Sequence, residues 1–167
     1  VERAFNEIIR RHEVLRTVFG TTQKRAEGGE KTEPGPIQII MAYKPVPMPM
    51  TDLSGLPDNH QETEVMRLAS EEGQKPFDLA RGPLFRTALL NLTPANRQPS
   101  TVNRQLSTVL LVTMHHIVSD GWSVGIFIRE FTELYRMFSQ GSPSPLPEPD
   151  IQYADFAHWQ RQWLKDE

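Results

Sequence analysis

The sequence predicts an α/β fold in which helices pack on a mixed β-sheet. Three observations carry that reading. Strand-like and helix-like segments alternate along the chain; the run STVLLVTM is almost wholly apolar; and the segment after it has a broad apolar face at helical spacing. A length of 167 residues is about one domain's worth and is enough to bury a core.

Residues 4 to 13, AFNEIIRRHE, place Phe5, Ile8, Ile9 and His12 at spacing i, i+3, i+4 and i+7, which predicts a helix. VLRTVFG turns to β-branched residues and ends in glycine, predicting a short strand near 15 to 19. The following polar stretch, rich in glycine and proline, predicts a surface loop. IQIIMAY, 37 to 43, reads as a strand, whereas the alternating prolines of PVPMPM cannot sit in mid-sheet. Residues 58 to 73 predict a mostly exposed helix with Val65, Leu68 and Ala69 inward, Asp58 as N-cap and Gly73 as stop. A turn is expected at Arg81-Gly82-Pro83, a strand over 84 to 92, and a polar loop over 93 to 106. STVLLVTM, 107 to 114, reads as a strand buried on both faces. From 123 to 138, Val124, Phe127, Ile128, Phe131, Leu134, Tyr135 and Phe138 form one face of a strong helix. Residues 142 to 150 make a proline-rich connector to a last helix over 151 to 165, with Phe156, Trp159 and Trp163 on one side. There are no internal repeats.

Composition narrows the function classes. A net charge of −3 argues against a generic nucleic-acid binder, which carries a basic patch. No apolar run approaches the roughly 20 residues that span a bilayer, and no signal peptide is expected. With no cysteine, disulfides, thiolate catalysis and cysteine-ligated zinc are excluded, which fits the cytoplasm. The chain opens on Val1 inside a helical pattern and closes on Glu167 just past another, so both ends are expected to be cut from something longer.

The chemistry concentrates in MHHIVSDGWS, residues 114 to 123. His115 and His116 fall where the apolar strand gives way to a loop, and neighbouring strand residues point to opposite sides. One ring is therefore expected in a cavity and the other in packing. Asp120 precedes the long helix, Gly121 permits backbone angles or close approach that a side chain forbids, and Ser123 is a cap for the helix. A neutral imidazole accepts a proton from an attacking nucleophile, a service worth about 10² to 10⁴ in rate. Asp120 either orients such a ring or pairs with a cation to hold the loop. Against this stand a purely structural histidine pair and a metal site from His115, His116 and Asp120. The divergence of adjacent strand residues weighs against the metal site. No serine sits on a nucleophile elbow.

Read with its neighbours, MHHIVSDGWSVGIFIREF resembles the His-His-x-x-x-Asp-Gly motif of nonribosomal peptide synthetase condensation domains, members of the chloramphenicol acetyltransferase-like superfamily. RRHEVLRTVF at 10 to 19 resembles a second motif of that family, PFDLARGPLFRTALL the segment between the two, and IQYADFAHWQRQWL the tryptophan-bearing helix that follows. Four matches in order cover most of the chain. The resemblance implies a chloramphenicol acetyltransferase-like lobe, helices on a mostly antiparallel mixed sheet. Residues 1–167 would be the N-terminal lobe, with a C-terminal lobe completing the tunnel between them. It implies that an acceptor aminoacyl amine attacks a donor acyl or peptidyl thioester, both carried on the phosphopantetheine of carrier protein domains, with an adenylation domain adjacent and no cofactor or metal bound directly.

In the resemblance His116 matches the second motif histidine, facing the tunnel as a proton acceptor or as an orienting and stabilising group, with His115 beside it. Asp120 pairs with an arginine of the earlier motif, Arg11 by position and Arg16 as second choice, and Gly121 leaves room for substrate. Trp122 and Ser123 read as helix-start and packing residues. SDGWS is similar to domains that join two L-configured residues. A coenzyme A-dependent acyltransferase and a non-catalytic carrier-docking lobe are the competing readings, and the isolated lobe is expected to show little activity. His12 reads as structural, Trp159 and Trp163 as core or interlobe packing. Arg81, Arg86, Arg97 and Arg104 read as solvated, with carrier docking as the alternative. No nucleic-acid or membrane partner is expected.

Overall fold

The computed structural model describes residues 1–22, 35–92 and 108–164. In chain order the elements are α1 (Glu2–Arg11), a 3-10 turn (Glu13–Arg16), β1 (Thr17–Thr22), β2 (Gly35–Ile40), β3 (Met50–Asp52), α2 (Asp58–Gln74), β4 (Phe85–Asn91), β5 (Thr108–Met114), α3 (Gly121–Ser139) and α4 (Tyr153–Trp163). They fall into two compact units. One takes residues 1–46, 77–84 and 115 onward; the other takes 47–76 and 85–114.

In the first unit, α1 buries Ala4, Phe5, Ile8 and Ile9, the stripe its sequence spacing sets out. That stripe meets α3: the Phe5 ring lies 5.3 Å from Phe127 and 5.2 Å from Phe131, centroid to centroid. On α3 only Leu134 is buried; Ile128 and Tyr135, expected on the inward face, are exposed. The chain does not enter a strand at residue 15. Glu13–Arg16 first make the 3-10 turn, which Thr17 fastens by donating its hydroxyl to the Glu13 carbonyl at 2.8 Å. β1 then pairs antiparallel with β2, Thr17 opposite Ile40. Beyond β2 the proline-bearing stretch follows no ladder, and Asn6 anchors it, accepting from the Val46 N–H at 2.7 Å and donating to the Val46 carbonyl at 3.1 Å. The Phe19 N–H donates to Leu79, which lays the turn at 81–83 beside β1. There Gly82 adopts φ +60°, and a Cβ built on it would stand 3.0 Å from Val18 Cγ1.

The connector at 142 to 150 has no regular structure, yet α1 holds it. Arg10 reaches Glu148, and Arg11 Nη1 donates to the Leu146 carbonyl at 3.3 Å. Gln152, just before α4, donates to the Arg11 carbonyl at 2.9 Å and accepts from the Glu13 N–H at 3.1 Å. Arg10 thus faces Glu7 and Glu148 together, and these two carboxylates hold its guanidinium charged well above the usual arginine range.

The second unit is a three-stranded mixed sheet, β3-β4-β5, with β3 parallel to β4 and β4 antiparallel to β5. Leu53, Leu90 and Leu92 form its core, and Val65 and Leu68 of α2 pack on it with Val109 and Leu111 of β5. β3 has no counterpart in the sequence reading. β5 is half-buried rather than buried on both faces, because among the described residues it pairs with β4 alone and stands at the sheet edge. The α2 N-cap is Pro57, not Asp58: the Pro57 carbonyl accepts from His60 and Gln61 and so takes the first helical bonds. Arg86, expected in solvent, instead donates to the carbonyls of Glu72, Lys75 and Pro76 and pairs with the Glu72 carboxylate, closing the C-terminal end of α2. Among the described residues no helix is long and apolar enough to cross a membrane.

Candidate active site

β5 ends at Met114 and the chain passes at once into the histidine loop, 115 to 120. The loop is fastened at its start by His115. The His115 N–H donates to the Leu84 carbonyl at 2.9 Å, and its own carbonyl accepts from the Val118 N–H at 3.0 Å and the Ser119 hydroxyl at 3.3 Å. The His115 ring meets Phe77 edge-on at 5.7 Å, and Nδ1 accepts from the Ile117 N–H at 3.0 Å. With Nδ1 an acceptor, a neutral His115 carries its proton on Nε2. His115 is half-buried and committed to the loop; His116, the next residue, is exposed.

The far end of the loop is fastened by α3. Asp120 is the N-cap: its carboxylate accepts from the Ser123 N–H at 2.8 Å, while the Ser123 hydroxyl accepts from the Asp120 N–H at 2.7 Å. This reciprocal box satisfies backbone donors that a helix start otherwise leaves open. The Ser123 N–H above all, then its hydroxyl, then the Trp122 N–H and the charge of nearby His116 hold the Asp120 carboxyl below the usual aspartate range. Ser123 is thus the third residue of the helix and completes the cap, while Asp120 is the cap itself. Gly121 has no positive φ, and a Cβ built there meets no atom within 4 Å, so the backbone of this lobe does not itself demand glycine. Trp122, expected in packing, is 83% exposed.

The two candidate arginines are placed elsewhere. Arg11 is 4% exposed, and its Nε stands 3.6 Å from Glu130 Oε2 on α3. Arg16 pairs with Glu13 at 3.2 Å and donates to the Met41 carbonyl at 2.7 Å. The expected contact of Asp120 with Arg11 or Arg16 is therefore replaced in this structure. The helix start supplies the aspartate with N–H donors, and Glu130 supplies the buried guanidinium with its counter-charge. Glu130 also takes His12 Nε2 at 2.7 Å. Arg11, His12, Glu130, Leu146 and Glu148 line a cleft of about 780 Å³ that does not include the histidine loop.

Arg81 is well exposed beside Asp78, and Arg97 and Arg104 lie outside the described residues. Among the described residues no three His, Asp or Glu side chains stand together as metal ligands. What the loop offers is one imidazole open to solvent, on a backbone fixed at both ends. Such a group can take or share a proton from a nucleophile brought to it.

The condensation domain family matches residues 1–167. Chondramide synthase of Chondromyces crocatus is 44% identical over 162 residues, which is 97% of this chain and 4% of that protein. Phosphinothricin tripeptide synthetase PhsC of Streptomyces viridochromogenes is 42% identical over 166 residues, 99% of this chain and 13% of its own length. Among solved structures, the X-domain from teicoplanin biosynthesis superposes with a TM-score of 0.72 at 27% identity, covering 98% of this chain and 30% of that one. The epimerization domain from the third module of tyrocidine synthetase B shares the fold, with a TM-score of 0.71 at 24% identity, over 98% of this chain and 31% of its own. The chain thus spans a small part of its curated relatives and about a third of these solved chains. A match that runs from the first residue to the last leaves no segment to another family: the chain belongs to the condensation domains.

Proposed function

We propose that residues 1–167 are the N-terminal lobe of a peptide-bond-forming condensation domain in a nonribosomal peptide synthetase. The observation that carries this reading is the exposed His116, set directly after a histidine fixed in the loop and ahead of a capped helix. The acceptor's amine nitrogen attacks the donor's thioester carbonyl, the carbon–sulfur bond breaks, and the donor carrier's phosphopantetheine leaves as a thiol. The proton lost by nitrogen passes to His116, or to the departing sulfur with His116 orienting the amine. General-base help of about 10² to 10⁴ leaves the rest of the acceleration to holding both thioesters in place. The two carrier domains, the C-terminal lobe and an adjacent adenylation domain are the partners this reaction needs. The pair joined is read as two L-configured residues from SDGWS. Asp120 fixes the loop as the cap of α3, Gly121 leaves room for substrate beside the histidine, and Arg11 and Arg16 hold α1 and the turn after it.

The test uses the full-length parent protein with both carriers loaded and follows peptide by mass spectrometry. Peptide is expected from the native protein and a loss of about 10² to 10⁴ from His116→Ala. Equal peptide from the alanine variant removes His116 from the chemistry. Turnover of a free coenzyme A thioester in place of the donor carrier would make this a coenzyme A-dependent acyltransferase. Carrier binding without any product would make it a docking lobe.

A further inference from the structure

We infer that Trp122 is the wall against which the acceptor's side chain rests, so that the site favours acceptor amino acids with apolar side chains. The inference deepens the condensation reading above and rests on it. Trp122 is the second residue of α3, and at 83% it is the most exposed large apolar side chain among the described residues. An exposed apolar residue by itself needs no explanation; the place of this one gives it meaning. Asp120 joins it to the histidine. The carboxylate that accepts from the Ser123 N–H at 2.8 Å also accepts from the Trp122 N–H and feels the charge of His116. Side chains of a helix lean toward its N-terminal end, and for the second residue of α3 that end is the histidine loop. The residue before Trp122, and its neighbour on the helix surface three residues on, are glycines. A Cβ on Gly121 or on Gly125 meets no atom within 4 Å, so packing demands neither glycine, and both leave space beside the indole. Ile117, 41% exposed, is a second apolar group next to His116.

Chemistry decides what meets this wall. His116 serves the acceptor's amine, and the carbon that bears the acceptor's side chain is bonded to that nitrogen. The donor's side chain lies beyond the thioester carbonyl, farther from the imidazole. The group brought beside Trp122 is therefore the acceptor's. An indole face suits aliphatic and aromatic groups. It also suits a cation, but the Asp120 carboxylate beside it is already met by two helix N–H groups and does not call for one. A permanent contact with another part of the protein is a broad apolar surface, like a core cut in two. A ring set between glycines is not such a surface.

The test uses the full-length parent protein with one constant donor. Its acceptor carrier is charged with glycine, leucine or lysine from the aminoacyl-coenzyme A, which bypasses adenylation, and initial peptide rates are read by mass spectrometry. Trp122→Ala is expected to lower the leucyl-to-glycyl rate ratio about tenfold, the lower end of what a methylene is worth in an apolar pocket, and Trp122→Phe to restore most of it. Equal losses with both acceptors, or no loss with either, overturn the proposal. A lysyl acceptor that loses as much as the leucyl one overturns it too. A second readout needs no turnover and no variant. Hydroxyl-radical oxidation of Trp122 is expected to slow with the leucyl carrier in place and to stay fast with the glycyl or the uncharged carrier. Slow oxidation with the uncharged carrier assigns the ring to packing or to the carrier itself and overturns the proposal. Protection by the leucyl carrier in a protein that forms no peptide keeps the wall and refutes the reaction. Peptide formed with an unchanged ratio in Trp122→Ala keeps the reaction and refutes the wall.

Discussion

His12 Nε2 lies 2.7 Å from Glu130 Oε2, joining the residue just past α1 to the middle of α3. The same carboxylate oxygen is the counter-charge of the buried Arg11 guanidinium. Removing one member of a buried pair strands the other without compensation. Glu130→Ala is therefore expected to destabilise the fold by about 3–5 kcal/mol, read as a lower urea midpoint. Replacing Arg11 and Glu130 together with methionine is expected to recover most of that loss, because no charge is left behind.

The Asp120 cap makes stability depend on acid in one direction. Its folded pKa is depressed by the Ser123 donors, so the stabilisation is complete above the unfolded aspartate value, about 3.9, and is lost as pH falls through the folded value. Asp120→Ala is expected to lower the melting temperature by a few degrees at pH 7. The gap between variant and native protein should narrow as pH drops below about 4. A gap that stays constant down to strong acid would falsify the assignment of the carboxylate as the cap.

Gln61 is 8% exposed, and its amide nitrogen donates to the carbonyls of Leu53, Leu56 and Leu92 at 3.3, 3.1 and 3.2 Å. These bonds bring the turn before α2 and the end of β4 to one amide. Gln61→Leu keeps the bulk and removes the amide donor; the Leu53 carbonyl still accepts from the Leu56 N–H, so the loss falls on the Leu56 and Leu92 carbonyls, at an expected cost of about 1–3 kcal/mol. Amide exchange should rise at residues 53 to 61, and an unchanged exchange pattern would remove this role.

Gly82 holds φ +60°, where a Cβ is strained by itself and would press to 3.0 Å from Val18 Cγ1. Gly82→Ala is expected to cost roughly 1–2 kcal/mol. A melting curve compared with that of Gly73→Ala supplies the control, since a Cβ at Gly73 meets nothing within 4 Å and Gly73 lies within α2.

Much of this was legible in the residues. The α1 stripe was, because Phe5, Ile8 and Ile9 repeat with the helical period; so was the strand that delivers His115 and His116, because an apolar run ends where they begin. β3 was not, since three residues after a run of alternating prolines show no period. The arginine partners were not either. Which carboxylate meets Arg11 depends on how α1 lies on α3, and chain order carries no record of that crossing. The pairing of Asp120 with an arginine is what the family resemblance implies, and the residues alone leave it open beside a role in orienting a histidine ring. In the structure the aspartate is exposed, and helix N–H groups satisfy it. Trp122 reads as packing because large aromatics prefer the core, yet it is 83% exposed.

The connector at 142 to 150 has the composition of a tether and the attachments of a strap: Arg10 holds it at Glu148 and Arg11 at Leu146, and Gln152 ties the residue just past it to the Arg11 carbonyl. Module engineers who look for a cut point would choose these prolines from composition alone. Severing or lengthening them would strain the ties of Leu146 and Glu148 to α1, so recombination junctions belong outside this stretch.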